Sequence, residues 1–388
     1  MIKKILSYFA QGSYRFANGF VSAFTIVYLN RAGFYDWQIG IIISLMGLFS
    51  LILNYFITGY CLKIINNKIK YWTLFIYILS FINYGLYYLS SDTIAKMVFF
   101  PLGYAFFSYN HHFVNLLCAA NNNDDKVKDG NRPTNIGTLV YGLTVGAIGS
   151  VFDKYHNAFL IKATFIVIGI AFLSALLLEN KQCFLVDKLN IKRILGIIGD
   201  IKENRTIILF LIAVTASSVS AVMSLKFLSR IVVENGGSAF NLGIAFMIQS
   251  LVVIPVSYYS DKIRKVYDAD KVLLFNFAFS LLKIIILWRS KFCWQIYLAM
   301  LLTAFGYGGM GFACVDYLKR VAGDRYEIFH ELTTLCDSIN LGSLFGGVIS
   351  GIIMTFCTVR ILLLISWIVA LLGLIVLFLS QVNYLKYK

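Results

Sequence analysis

Gly33-Phe-Tyr-Asp-Trp-Gln-Ile-Gly40 opens the stretch on which the fold turns. An uncharged apolar run follows from Ile41 to about Leu62, and a short basic turn with Lys63, Lys68 and Lys70 closes it. A helix needs ~20 mostly apolar residues to cross the ~30 Å hydrocarbon core of a bilayer. Residues 41–62 meet that length, and the turn after them is too short and too basic to lie in lipid. The second half repeats the pattern. Gly236-Gly-Ser-Ala-Phe-Asn-Leu-Gly243 has the same glycine spacing, an apolar run continues to Tyr259, and the charged turn Asp261-Lys-Ile-Arg-Lys265 closes at Lys271. Recurrence about two hundred residues later marks two homologous halves.

Composition agrees. Of 388 residues, 59% are hydrophobic and 14% charged, against ~45–50% and ~25% in soluble domains. Too little polar surface remains to coat a soluble fold of this size, so the chain reads as an all-α integral membrane protein. The net charge of +15 would suggest nucleic acid in a soluble protein. Here it reflects basic loops on one side of a membrane, and no nucleic-acid partner is expected. Most of the seven cysteines, including Cys118, Cys293, Cys314, Cys336 and Cys357, sit in apolar runs and act as small hydrophobes. Met1-Ile-Lys-Lys leads directly into the first apolar segment, so no cleaved leader is expected.

About twelve spans are expected: 5–30, 38–62, 71–90, 94–120, 134–153, 157–178, 206–229, 239–259, 272–289, 292–314, 330–356 and 359–381. Alternate loops concentrate Lys and Arg, which places both termini in the cytoplasm of a multi-pass protein of the plasma (cell inner) membrane. The expected division is a six-helix bundle over 1–178, a cytoplasmic linker over 179–205 and a second bundle over 206–388. Within the linker, 189–201 reads either as an interfacial helix or as a plain connection.

This architecture resembles the major facilitator superfamily. The turn after the second span in that family reads like Gly-x-x-x-Asp-Arg-x-Gly-Arg-Lys; here it is Gly59-Tyr-Cys-Leu-Lys63-Ile-Ile-Asn-Asn-Lys68, with a lysine where the acid is expected. The second copy, Ser257-Tyr-Tyr-Ser-Asp261-Lys262-Ile-Arg264-Lys265, keeps the acid and loses the glycine. The resemblance implies two six-helix bundles, alternating access around a central site, and gating by Gly59, Lys63, Asp261 and Arg264. Gly142-Leu-Thr-Val-Gly146-Ala-Ile-Gly149 in the fifth span partly matches a glycine motif of proton-driven exporters, though plain helix packing accounts for it too. The family also implies a peripheral ninth span, with Lys283 snorkelling at the lipid edge.

Polar residues inside spans mark candidate sites. Gln11, Arg15, Asn18 and Ser22 share one face of the first span. Arg15 there either lines a cavity or holds a structural partner. The fourth span offers Ser108, His111, His112 and Asn115; the adjacent histidines point about 100° apart, so one of them faces a cavity. Histidine suits proton coupling, and His112 is one candidate. Asp337, a carboxylate inside an apolar run, is the other; its alternative role is an ion pair with a basic residue. Thr303 and Tyr307 read as cavity wall or as helix contacts. No nucleophile constellation, phosphate loop or metal cluster is evident, so neither an enzyme nor a cofactor is expected. The expected function is a monomeric secondary transporter whose partners are a small organic substrate, protons and membrane lipid. Efflux of a drug-like or natural-product compound leads over uptake of a sugar, nucleoside or organic anion. A non-transporting receptor or immunity protein is the remaining alternative.

Overall fold

The computed structural model describes residues 2–56, 68–122, 131–155, 157–180, 204–259, 262–263, 266–307, 310–323 and 339–386. Every regular element among them is a helix. The first half holds α1 (Ile2–Ser22), α2 (Thr25–Arg31), α3 (Asp36–Phe56), α4 (Ile69–Leu89), α5 (Thr93–Asn122), α6 (Asn131–Lys154) and α7 (Asn157–Leu176). The second holds α8 (Arg205–Lys226), α9 (Leu228–Glu234), α10 (Ala239–Tyr258), α11 (Ala269–Arg289), α12 (Cys293–Leu301), α13 (Thr303–Tyr307), α14 (Met310–Ala322), α15 (Ile339–Phe356) and α16 (Val359–Lys386).

Eight described helices are long and apolar enough to cross a membrane. Neither α1 nor α5 is among them. These are the two helices that carry the polar stripes, and their polarity is repaid only where the stripes face protein rather than lipid. The tenth span, expected as one helix over 292–314, is interrupted at Leu302 between α12 and α13, and its described helical residues reach Ala322. The linker segment 189–201 and the gating residues Gly59, Lys63, Asp261 and Arg264 lie outside the described residues.

The chain packs as two compact units, residues 1–188 with 238–251, and residues 189–237 with 252–388. In the first, α1 packs on α5, α6 and α7, while α4 packs on α5 and α7. In the second, α8 packs on α15 and α16, while α11 packs on α12 to α14 and on α16. The pairing scheme is the same in each, with α8 in the place of α1 and α11 in the place of α4.

The repeat holds down to single hydrogen bonds. Gly33 and Gly236, 203 positions apart, both take positive φ, +88° and +75°, a conformation that glycine adopts without a Cβ clash. Two residues on, the N–H of Tyr35 donates to Gln38 Oε1 at 2.9 Å, and that of Ser238 donates to Asn241 Oδ1 at 2.9 Å. Each amide side chain satisfies an N–H that the start of α3 or α10 leaves open. The first and seventh spans also break at the same register. Phe24 and Phe227, 1% and 0% exposed, cap α2 and α9 and lock the two bends into the core.

Close packing sets the helix separations. In the second unit, a Cβ on Gly342 of α15 would stand 2.6 Å from the Ser218 carbonyl oxygen of α8. Ser220 and Ser366 exchange hydroxyl-to-carbonyl bonds of 2.8 and 3.0 Å between α8 and α16. The apolar core below includes Phe210, Phe277, Leu377 and Tyr317, whose hydroxyl meets Ser380 Oγ at 2.9 Å. In the first unit, the Asp153 carboxylate accepts from the N–H groups of Ala239 and Phe240, each at 3.0 Å. An acidic side chain at a helix start satisfies open donors and opposes the helix dipole. This cap, together with Gly149 and Gly243, fastens the beginning of α10 to α6.

Lys283 corrects an expectation. It does not snorkel into lipid; it is buried at 4% exposure, one heptad from Asn276, which is also at 4%. Residues seven apart share a helix face, and this face of α11 is turned into the packed unit rather than outward.

One network ties the ends of α9, α11 and α16. Arg360 pairs with Glu234 at 2.7 Å, donates to the carbonyls of Leu287 and Trp288 at 3.1 and 2.7 Å, and donates to Asn235 Oδ1 at 2.8 Å. Arg360→Ala removes the side-chain donor to the Trp288 carbonyl, breaks the pair with Glu234 and frees Asn235 Oδ1, while the Leu287 carbonyl keeps the Ser290 hydroxyl at 2.7 Å. It should cost about 2 kcal/mol, read as a lower melting temperature in detergent. Arg360→Lys should recover little, since an ammonium cannot reproduce the planar fork. A melting temperature equal to wild type in Arg360→Ala would remove this role.

Candidate functional site

The polar stripe of α1 meets α5 and α6 inside the first unit. Arg15 Nη2 lies 3.4 Å from His111 Nε2, and Asn115 Nδ2 lies 3.1 Å from the same nitrogen. His111 and Asn115 are four residues apart on α5, so their side chains stack one turn above the other. Tyr14, next to Arg15, stacks on the His111 ring at 5.5 Å and 20° and on Phe107 at 5.1 Å and 17°. Its hydroxyl donates to the carbonyls of Phe107 and Ser108, at 3.5 and 3.4 Å. The imidazole is thereby held with a face on an aromatic wall and its Nε2 edge toward a guanidinium.

The opposite wall is α6. A Cβ on Gly137 would stand 2.9 Å from Arg15 Cγ and 3.1 Å from Gln11 Cγ. The bare backbone there leaves the two long side chains their space. Its neighbours are two long polar side chains of α1.

These groups are incompletely satisfied. Gln11 is 0% exposed, yet among the described residues neither its Nε2 nor its Oε1 has a hydrogen-bond partner. Arg15 Nε and His111 Nδ1 are buried and likewise without partners. An Arg at mid-membrane costs ~2.5–3.5 kcal/mol even on insertion scales, and leaving a buried donor or acceptor unpaired costs ~1–3 kcal/mol. Such a cluster lowers stability unless something else occupies it. Among the described residues no carboxylate forms an ion pair with Arg15.

Other residues singled out in the sequence fall differently. Asn18 is half-buried on the same face of α1, and the Ser22 hydroxyl is turned back to the Asn18 carbonyl at 2.7 Å. Ser108 joins the site through its carbonyl. His112 is exposed; its ring neighbours are Tyr109 and His111, and it makes no hydrogen bond with the cluster. In the second unit, Thr303 is 2% exposed with an unpartnered hydroxyl. The side chain of Tyr307, and all of Asp337, lie outside the described residues. No group of three or more His, Cys, Asp or Glu among the described residues could hold a metal ion.

A multi-pass helical membrane protein with two repeated units and a buried polar cluster is the class of a secondary transporter. The chain belongs to the MFS_1 like family, whose model matches residues 17–365. It is a secondary transporter of small molecules and not an enzyme. Among solved structures it is similar to the nucleoside transporter NupG, at 14% identity and a TM-score of 0.77 over 100% of both chains. It is also similar to a POT family transporter in complex with 5-aminolevulinic acid, at 11% identity and a TM-score of 0.67 over 97% of this chain and 96% of that one. No curated protein matches it. These likenesses show the major facilitator fold.

Proposed function

We propose that this chain carries a small polar organic molecule across the plasma membrane by alternating access. Residues 1–178 and 206–388 are the moving halves, both termini are cytoplasmic, and Gln11, Arg15, His111 and Asn115 form a wall of the substrate site. The observation that carries this reading is Gln11, fully buried with both amide atoms unsatisfied beside Arg15. A structural glutamine finds partners inside the protein; one that waits for a ligand does not. Protons are the proposed coupling ion and Asp337, a carboxylate within an apolar run, their carrier. His111 is less suited to that task, because its Nε2 already faces the guanidinium of Arg15.

The glycines of the fifth span lent export a little support in the sequence. Gly142, Gly146 and Gly149 are accounted for by contact with α10: their Cβ atoms would meet Ser250 Cβ at 3.0 Å, Met247 Sδ at 2.8 Å and the Ala239 carbonyl at 2.7 Å. With that support gone, the polar wall favours a polar solute over an apolar drug-like one.

Vesicles of both orientations, with and without an imposed proton gradient, test the reading. Uridine and 5-aminolevulinic acid are the first solutes to try, given what the structural neighbours carry or bind. Gradient-dependent flux of one of them, abolished by Asp337→Asn while binding persists, is the expected result, and the orientation that accumulates solute gives the direction. Gradient-independent flux would remove the proton. A periplasmic signal from a reporter fused at Lys388 would overturn the orientation.

A further inference from the structure

The hydrogen-bond geometry of the site goes one step beyond this reading and rests on it: it names the chemistry of the substrate. His111 Nε2 faces Arg15 Nη2 at 3.4 Å and Asn115 Nδ2 at 3.1 Å. A guanidinium has only donors and cannot lose its proton in a protein. Nε2 is therefore an acceptor, and this holds whichever way the Asn115 amide is turned, because an N–H at Nε2 would point at the N–H of Arg15. The ring proton then sits on Nδ1, which is buried and unpartnered. Stacking on Tyr14, whose hydroxyl is anchored to the α5 backbone, fixes the plane in which that N–H points.

The unfilled groups are thus the N–H of Arg15 Nε, the N–H of His111 Nδ1 and the amide NH2 of Gln11, against one unfilled acceptor, Gln11 Oε1. Donors outnumber acceptors, and the guanidinium adds a full positive charge with no carboxylate paired to it among the described residues. The edge of Arg15 formed by Nε–H and Nη2–H is a side-on fork. Nη2 carries two hydrogens, one on this edge and one facing away from Nε, so the fork is open when His111 takes the far one. Such a fork matches two oxygens on one carbon.

We propose that the substrate is a small organic anion whose carboxylate is taken side-on by Arg15, with Nδ1–H of His111 and the Gln11 amide reading acceptors and donors on the same molecule. No carboxylate among the described residues balances the charge of Arg15, and this anion supplies one. A neutral solute would leave it uncompensated.

The test uses the full chain in detergent and in proteoliposomes. Thermal stabilisation is measured with 5-aminolevulinic acid, benzoate and glucuronate, each beside its methyl ester, and with uridine and inorganic phosphate. At least one carboxylate should stabilise the wild type while its ester does not. Arg15→Gln should weaken that carboxylate about 10–100-fold, the loss of a charge-assisted bond, and His111→Phe should weaken it less. A second readout needs no ligand. Because no carboxylate among the described residues pairs with Arg15, ligand-free Arg15→Gln should melt at or above the wild-type temperature. A clear drop would show an internal partner and overturn the proposal. So would equal stabilisation by acid and ester, stabilisation by phosphate but by none of the carboxylates, or no stabilisation by any carboxylate. Flux of uridine that is unchanged in Arg15→Gln would sink the anion and leave the transporter reading standing, whereas no flux of any solute in the wild type would sink both.

Discussion

Gly342→Ala should lower stability by about 2–4 kcal/mol, the range of strained, overpacked interiors, and should reduce the amount of protein that reaches the membrane. The added methyl would stand 2.6 Å from the Ser218 carbonyl oxygen and 2.7 Å from its carbon. Both are backbone atoms of α8, so no rotamer change relieves the clash. The helices α8 and α15 would have to part, and the Ser220–Ser366 exchange two residues along α8 would be drawn into the shift. Gly85 and Gly169 are the controls, since a Cβ at either meets nothing within 4 Å. Alanine there should be neutral or stabilising by up to ~1 kcal/mol, the backbone-entropy difference between the two residues. Melting temperatures of the three variants by fluorescence-detected chromatography decide the matter. Equal values for Gly342→Ala and Gly85→Ala would show that the helices do not touch as described.

The second large effect is on function. Gly137→Val should abolish substrate flux while leaving a folded protein. The Cβ would lie 2.9 Å from Arg15 Cγ and 3.1 Å from Gln11 Cγ. Unlike the atoms facing Gly342, these belong to long side chains that can swing away, so the fold survives. The site does not, because Arg15 can retreat only by leaving His111 Nε2, and Gln11 only by withdrawing its amide. Loss of those contacts should weaken binding about 10–100-fold, and Gly137→Ala should fall between valine and wild type. The readouts are flux in proteoliposomes and melting temperature on the same preparations. Unaltered flux in Gly137→Val would separate α6 from the site. A collapse of melting temperature would make Gly137 a packing residue alone.

Which of two adjacent histidines joins the site shows where reading a chain stops. His111 and His112 have the same chemistry and sit on the same helix. Periodicity says that one of them faces inward and cannot say which, because the choice depends on how α5 is rotated against α1. That rotation is set by contacts such as Tyr14 on Phe107 and Arg15 on His111, whose partners are separated by 93 and 96 positions. Lys283 is the same case. Its position near the middle of a span was plain, but whether that face met lipid or protein was a matter of helix rotation, and the resemblance to a family placed it on the wrong side.

What the amino-acid sequence determined by itself is whatever depends on local length, hydropathy and backbone freedom. The membrane class follows from runs of ~20 apolar residues. The two halves follow from a glycine-to-glycine pattern whose first members, Gly33 and Gly236, both adopt positive φ. The polar stripes of α1 and α5 were visible because a helix shows its face at intervals of three and four. Only the tertiary structure decided which polar atoms find partners. Asp153 caps α10 across 86 positions of chain, and the side chains of Gln11 and Arg15 fit because Gly137 of another helix is bare. Hydrogen bonding and close packing act over a few ångströms in space with no regard to separation along the chain, so satisfied and unsatisfied groups, and with them the site, emerge only when the helices are assembled.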